Sequence, residues 1–454
     1  MIKIFVDPQL DDASHEEAYI KISQAIAASS SSDEESTPSV TIQELIVVLE
    51  SSLTSTDDKE RNRATQLIAS LLSDHASIRF PSSVVHLFVV FFCRRLSDYP
   101  SIVPSLKALT ALVTNHGDSF DPKYFDYLDI FQTIFKDIFV QALAQNIRQR
   151  VFELLNLLWD RADAIAAARG ATEDIINGSI TAFEGEKDPR CLVVSLQMIA
   201  GMIHGMGDVF MMPYSEKVFD CTACYFPITF QPPANDPFGI TSEMLTNALQ
   251  NCLCAHVNLL PHLLPFLCDQ LQTTATQSLS SDLQANRLQA LSCLLDVCYR
   301  FSPSILVGIT RQLSSKPIGE SLSEVLFECI TAAAVSSSAH TRDQDAMLVE
   351  QYTLYTISQV CMLISAGGAS GKFSGVWRVF VESLLVRICV TISEGGLLSI
   401  TGRQAFTVAC AMVSASTSCA TAVIDRVVPM ILPLVAGDLM TIQRTFDGSN
   451  SSQR

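Results

Sequence analysis

Two cysteines separated by two residues, Cys221 and Cys224 in VFDCTACYF, form the spacing in this chain most able to do chemistry. A C-x-x-C pair supplies half of a structural zinc site or a redox dithiol. A zinc site needs further ligands, and the next candidates are Cys252, Cys254 and His256 in LTNALQNCLCAHVNLL. On a helix, positions 252 and 256 share a face and 252 and 254 do not, so one productive pair remains. A redox dithiol sits at a strand-to-helix junction, and no such pattern surrounds this one. The plain alternative puts both cysteines on the apolar face of a helix. GGASGKF (367–373) approaches a phosphate-binding loop, which requires G-x-x-x-x-G-K-[ST]. Here Ala366 holds the first glycine position and Phe373 replaces the hydroxyl residue, so an inter-helix loop is the expectation. The histidines are scattered, and neither H-E-x-x-H nor G-x-S-x-G occurs. Acidic pairs such as Asp57 and Asp58 open helices, where they complement the dipole. These residues predict a chain with no catalytic residue, no metal and no cofactor.

The elements that carry these residues are helical almost throughout. The chain has 454 residues, too many for one compact core, with 48% apolar and 17% charged residues. That length suits several domains or one elongated repeat array. Its net charge of −17 opposes a phosphate backbone, so direct nucleic-acid binding is not expected. Its 14 cysteines fall mostly inside apolar helical patterns, as in ALSCLLDVC, where free cysteine acts as a small hydrophobe. With no signal-peptide pattern at MIKIFVDPQLDD, they favour a reducing compartment, cytoplasmic and nuclear. Uninterrupted apolar runs are short for a membrane helix. FSGVWRVFVESLLVRICVTI, for example, is broken by Arg378, Glu382 and Arg387.

A first helix, DDASHEEAYIKISQAIAAS, has capping-box spacing at Ser14 and Glu17. The acidic stretch SSSSDEESTPS (29–39) reads as a linker, giving an N-terminal segment 1–40. From Thr41, helical hairpins follow one another: TIQELIVVLESSL with KERNRATQLIASLL, then SSVVHLFVVFFCRRLSD with PSLKALTALVTNH. The second helix of a hairpin recurrently opens with polar residues and an arginine. Arg63, Arg150, Arg190, Arg287 and Arg403 stand one to three units of about 40–48 residues apart, the period of HEAT and armadillo repeats. The fold class is therefore all-α, an α-solenoid of HEAT/armadillo-like hairpins, with an irregular bundle as the alternative. Pro227, Pro232, Pro233 and Pro237 force a Pro-rich insert at 225–239, and helix resumes near Thr241. A body at 41–300, further repeats at 301–448 and a polar tail at 449–454 complete the layout.

GEKDPRCLVVSLQMI (185–199) and CYFPITFQPPANDPFGIT (224–241) resemble one family. It is the large HEAT-repeat subunit of the cytosolic iron–sulfur targeting complex, named for methyl-methanesulfonate sensitivity and nucleotide excision repair. LIVVLESSL with RATQLIASLL, and SSVVHLFVVFFCRRLSD, are weaker echoes, and the resemblance covers 41–300. It implies a scaffold, not an enzyme, that recruits apo-proteins such as DNA helicases and polymerases for cluster insertion, with links to excision repair and transcription. The implied partners are a WD-repeat propeller subunit and a subunit with a reactive cysteine. Both dock on C-terminal repeats of a family about twice as long as this chain, so a fragment or short form is expected. Asp188, Arg190, Phe226, Asn235, Asp236 and Gly239 lie in the two motifs, and the resemblance makes them a contact surface or a brace. Asn-Asp-Pro-Phe-Gly is also strong turn chemistry. The rival function is a generic HEAT adaptor, a transport receptor or phosphatase-type scaffold.

Overall fold

A computed structural model of the chain describes residues 1–31, 42–233, 237–276, 281–301, 318–336, 344–366 and 375–436. The linker core, GGASGKF, the polar tail, Asn235 and Asp236 lie outside the described residues. The described residues form α-helices and short 3₁₀ turns, with no strand among them. They divide into two compact units. Unit 1 holds 1–222 and 231–252; unit 2 holds 223–230 and 253–454.

Unit 1 begins with α1 (Ile2–Val6) and α2 (Asp12–Ser31). The side chain that caps α2 is Asp11, accepting from Ser14 N at 2.9 Å, rather than Ser14 itself. Four hairpins follow: α3 (Ile42–Leu53) with α4 (Asp58–Asp74), α5 (Ser82–Arg95) with α6 (Ile102–His116), α7 (Asp126–Asp137) with α8 (Gln145–Trp159), and α10 (Thr172–Phe183) with α11 (Pro189–Met211). The short α9 (Ala162–Arg169) precedes the last pair. The spacing of apolar residues dictates this. In α4, Ala64, Leu67, Ile68, Leu71 and Leu72 are buried, and in α8, Ile147, Val151, Leu154, Leu155 and Leu158. Each set recurs every three to four residues and forms one stripe. Asp57 starts α4 by accepting from Lys59 N at 2.8 Å and from Glu60 N. One hairpin cannot cover its stripe alone, so hairpins stack in two rows. One row runs α4, α6, α8, α11, and the other runs α5, α7, α10.

α11 continues through a 3₁₀ turn into α12 (Ser215–Ala223). By length and composition the run Pro189–Ala223 could cross a membrane, with a mean hydropathy of 1.4 in its most apolar window. Uninterrupted runs alone do not show this. Here 56% of that window is buried inside the protein, and Gly207, at φ 73° and ψ −176°, breaks the helix. After the insert, α13 (Ser242–Leu253) starts where the sequence places it, with Thr241 Oγ1 accepting from Met244 N at 3.1 Å.

Unit 2 repeats the two-row plan. Its hairpins are α14 (Leu260–Thr276) with α15 (Ser281–Arg300), α16 (Ile318–Ser336) with α17 (Gln344–Ala366), and α18 (Gly375–Gly395) with α19 (Ile400–Ala415); α20 (Thr417–Arg426) packs on α19. One row is α14, α16, α18 and the other α15, α17, α19. The core thiols of Cys268, Cys298 and Cys329 are pushed up to about 12 by burial, so they stay protonated and inert at neutral pH.

The corners of unit 1 show which arginine the repeat uses. Arg61, in the first turn of α4, donates from Nε and Nη2 to Asp98, just ahead of α6, at 3.2 and 3.1 Å. Arg148, in the first turn of α8, donates from Nε and Nη2 to Glu186, just ahead of α11, at 2.7 and 2.9 Å. The two ties span 37 and 38 residues, one repeat each. Arg63 and Arg150, two positions later, do not carry them. Arg63 turns to His15 and Asp12 at the N-terminal helices, and Arg150 is exposed. Of the other recurring arginines, Arg287 is 1% exposed inside unit 2, where desolvation lowers its pKa.

Candidate functional site

The first motif, GEKDPR, builds the corner ahead of α11. Gly185 turns the chain at φ +83°, a left-handed conformation that suits glycine. Glu186 then points inward and is 1% exposed. Its carboxylate accepts from Arg148 and also from Lys187 N and Asp188 N, both at 2.9 Å. A buried carboxylate is tolerable only when so fully hydrogen-bonded. Asp188 is the N-cap of α11: its Oδ1 accepts from Arg190 N at 3.0 Å, and Pro189 fills the first helical position, where no N–H is needed. Arg190 folds back on Asp188, donating from Nε and Nη2 at 3.1 and 2.9 Å. The hydrogen bonds from that guanidinium, more than any other influence, hold the Asp188 carboxyl below the usual range.

The second motif meets the first through Arg190. Its guanidinium carbon lies 4.1 Å from the centre of the Phe238 ring, a cation–π geometry. Phe238 nonetheless remains 60% exposed. Gly239 follows at φ +66° with open space around it, so the turn selects glycine by conformation and not by crowding. Asp188, Arg190, Phe238 and Gly239 thus form one feature of unit 1. Phe226 belongs to unit 2, where its ring meets Phe266 edge-on at 5.5 Å. Beside it Ile228 is tied through its backbone: its N–H donates to Gln289 Oε1, and its carbonyl accepts from Gln289 Nε2, both at 2.9 Å. The described residues of the Pro-rich insert are therefore shared out, 225–230 with unit 2 and 231–233 and 237–239 with unit 1.

The cysteines take separate places. Cys221 is half-buried near the end of α12 and donates to Val218 O at 3.2 Å, whereas Cys224 lies beyond the helix and is exposed. They do not share an apolar helix face. Cys252 is buried in unit 1 with its thiol pKa raised by desolvation. Cys254 is buried in unit 2, its Sγ 3.6 Å from that of Cys293. The His256 ring accepts from Asn258 N at 3.2 Å and caps a 3₁₀ turn. Among the described residues no three His, Cys, Asp or Glu side chains are grouped to hold a metal ion. Sequence reasoning passed over Glu186 and Phe238, which do most to fix the feature. The available signal was Glu186 itself, an acid between a glycine and a helix-opening Asp-Pro.

Stacked helical hairpins with a loop pinned at one helix start define a HEAT-like helical-repeat protein. Residues 46–317 match the family model described as Dos2-interacting transcription regulator of RNA-Pol-II (MMS19_N), and the chain belongs to that family. Relatives named MMS19 nucleotide excision repair protein homolog include those of Dictyostelium discoideum, Mus musculus and Homo sapiens. The first is 29% identical over 58% of this chain and 22% of its own length. The mouse protein is 30% identical over 66% and 29%, and the human protein 31% over 60% and 26%. The match thus spans about a quarter of the curated relatives' length. Among solved structures, that of Kap121p covers 95% of this chain and 43% of its own, at 10% identity and a TM-score of 0.40.

Proposed function

We propose that the chain is a non-catalytic scaffold segment of the cytosolic iron–sulfur targeting machinery. It recruits apo-proteins of DNA metabolism and repair, such as helicases and polymerases, for cluster insertion, in cytoplasm and nucleus. Through such clients it serves nucleotide excision repair and transcription, the roles named in its relatives and its family description. The WD-repeat propeller subunit and the reactive-cysteine subunit dock outside this segment. Its contacts are with protein, not nucleic acid or membrane.

The observation that carries the contact surface is Phe238. It is an exposed aromatic ring held under the Arg190 guanidinium, at the capped start of a long buried helix. A rigid scaffold presenting a loop aromatic and an arginine is a common basis for recognition, since both types dominate interface energetics. The test is affinity capture on the whole protein with mass spectrometry, comparing wild type, Phe238→Ala and Arg190→Lys. Phe238→Ala is expected to keep the helical circular dichroism and melting temperature and to lose iron–sulfur clients. Arg190→Lys should lose fewer, because an ammonium keeps the charge without the planar stack. Undiminished client capture by Phe238→Ala would sink the loop's role. Recovery of basic cargo with a nucleotide-switch protein, in place of iron–sulfur clients, would make the chain a generic HEAT adaptor.

A further inference from the structure

We propose that His116 is an acid-sensitive latch: its protonation opens the corner at the end of α6, where the second hairpin of unit 1 meets the third, while the hairpins themselves stay folded. The latch is separate from the Phe238 loop and does not depend on it.

His116 is the last residue of α6 and is completely buried. Neither ring nitrogen has a hydrogen-bond partner among the described residues. Its ring lies against Phe80, centre to centre 5.1 Å, and Phe80 in turn meets Phe88 of α5 edge-on at 5.5 Å. The three rings join the approach to α5, α5 itself and the end of α6. An imidazole at the C-terminal end of a helix ordinarily gains from protonation, because the unpaired carbonyls there attract positive charge. At this corner such carbonyls are already taken. Arg79 Nη1 donates to Asn115 O at 3.0 Å, Arg161 Nη1 to Val113 O at 3.3 Å, and the Tyr127 hydroxyl to Gly117 O at 3.2 Å. The Arg161 guanidinium also lies so close over Gly117 that a Cβ there would collide with it. An imidazolium would therefore bury a charge and two N–H donors with no acceptor, at a corner already held by two guanidiniums.

The ionisable groups on the surrounding elements do not offset this. Burial first, and then the charge of Arg79 ahead of α5, hold the His116 ring below its ordinary pKa. Asp118, just after α6, is almost fully exposed and pairs with Arg161 at 3.0 Å. On α7 the Tyr127 phenol is pushed up by its own burial and stays neutral. His75, at the end of α4, is paired with Ser23 Oγ at 2.9 Å, and His86, on α5, with Asp126 at 2.6 Å. A histidine depressed in the folded state takes up a proton more readily once it is released. The corner therefore has its full stability above the unfolded value of about 6.5, and loses it as pH falls from there toward the folded value.

The test is native-state hydrogen exchange on the full chain from about pH 7.5 to about pH 5.5, corrected for the intrinsic exchange rate. Opening of the segment 113–120 should rise several-fold, up to about tenfold, while amides in the middle of α10 and α11 change by less than about twofold. His116→Phe removes the titrating group and keeps a ring against Phe80, so it should flatten the response. His116→Gln, neutral at every pH used, should flatten it as well and serves where the phenylalanine does not fit; circular dichroism checks that each variant folds. Nuclear magnetic resonance on histidine-labelled wild type reads the ring directly. The ring in contact with Phe80 should keep the signal of the neutral form through the ordinary histidine range. The proposal is overturned if that ring titrates at or above its ordinary value, or if the folded variants respond to pH as wild type does. It is equally overturned if the rise in opening is spread evenly over unit 1, since the corner then opens only with the whole.

Discussion

The two units stack hairpins in the same way but secure the contacts between neighbouring repeats with different chemistry. In unit 1 the ties are arginines reaching carboxylates and carbonyls. Arg61 reaches Asp98 and Arg148 reaches the buried Glu186, while Arg161 donates to Asp118 at 3.0 Å and Arg169 Nη2 to Gly205 O at 2.6 Å. In unit 2, which also buries Arg287, thiols and hydroxyls tie neighbouring repeats among the described residues. Cys254 faces Cys293, Cys419 Sγ approaches Cys361 O at 4.0 Å, Ser323 donates to Ser383 at 2.9 Å and Ser365 to Ser416 at 2.5 Å. Its ion pairs, such as Arg387 with Glu324 at 2.8 Å and Arg426 with Glu382 at 2.5 Å, sit nearer the solvent. A buried charge pair is costly to break from one side, because the remaining charge stays desolvated. A pair of small weak donors fails gently. Unit 1 should therefore be brittle at a few positions, and unit 2 tolerant at its thiol and hydroxyl contacts, away from the buried Arg287.

The largest expected effect is at Glu186. Arg148→Ala leaves its carboxylate buried with only two backbone donors, and should destabilise unit 1 by about 3–5 kcal/mol. Denaturant titration followed by the fluorescence of Trp159, buried in unit 1, measures it once Trp377 is replaced by phenylalanine. A loss under 1 kcal/mol would mean the corner is not brittle. The matching change in unit 2 is Cys254→Ala, which removes one sulfur from a packed core and should cost about 1–2 kcal/mol. Hydrogen exchange across α14 and α15 reads it. If it costs as much as Arg148→Ala, the contrast between the units is wrong.

Acid should next separate two carboxylates within unit 1. The Arg61 guanidinium, first among several causes, holds the Asp98 carboxyl below its ordinary value. A carboxyl depressed in the folded state adds stability that is fully present above its unfolded value, about 3.9, and is lost as pH falls through the folded one. Asp126 works the other way. Its burial raises it despite the His86 ring 2.6 Å away, so its contribution grows as pH falls. Comparing wild type with Asp98→Asn isolates the first effect. The stability difference, below about 1 kcal/mol for so accessible a pair, should be present at neutral pH and shrink on acidification. A pH-independent difference would assign it to packing.

Much of this was legible in the sequence, for a physical reason. Apolar residues spaced every three to four positions can only be buried by stacking, so the hairpins of α3 to α8 and the start of α13 at Thr241 follow from local pattern. Partners about one repeat apart were not legible. Nothing local says that Arg148 meets Glu186, that Cys254 meets Cys293 at a separation of 39 residues, or that Phe238 lies under Arg190. The family resemblance marked GEKDPR and NDPFGI, but their meeting needs the fold that brings Phe238 back to the start of α11.

The finest test of the comparison separates two arginines that the sequence treats alike. Arg148 and Arg150 both open α8, and the repeat pattern fits either. Helical geometry does not allow both to reach one corner: two residues apart they point about 200° apart around the axis. Arg148 is turned to Glu186, and Arg150 lines a separate cleft with Lys107 and Glu153. Arg150→Ala should therefore change stability by no more than about 0.5 kcal/mol, the range of ordinary surface substitutions. The same titration that reports Arg148→Ala reports this one. Equal losses for the two variants would show that the repeat's arginine acts through general charge and not through a tie to a single buried carboxylate.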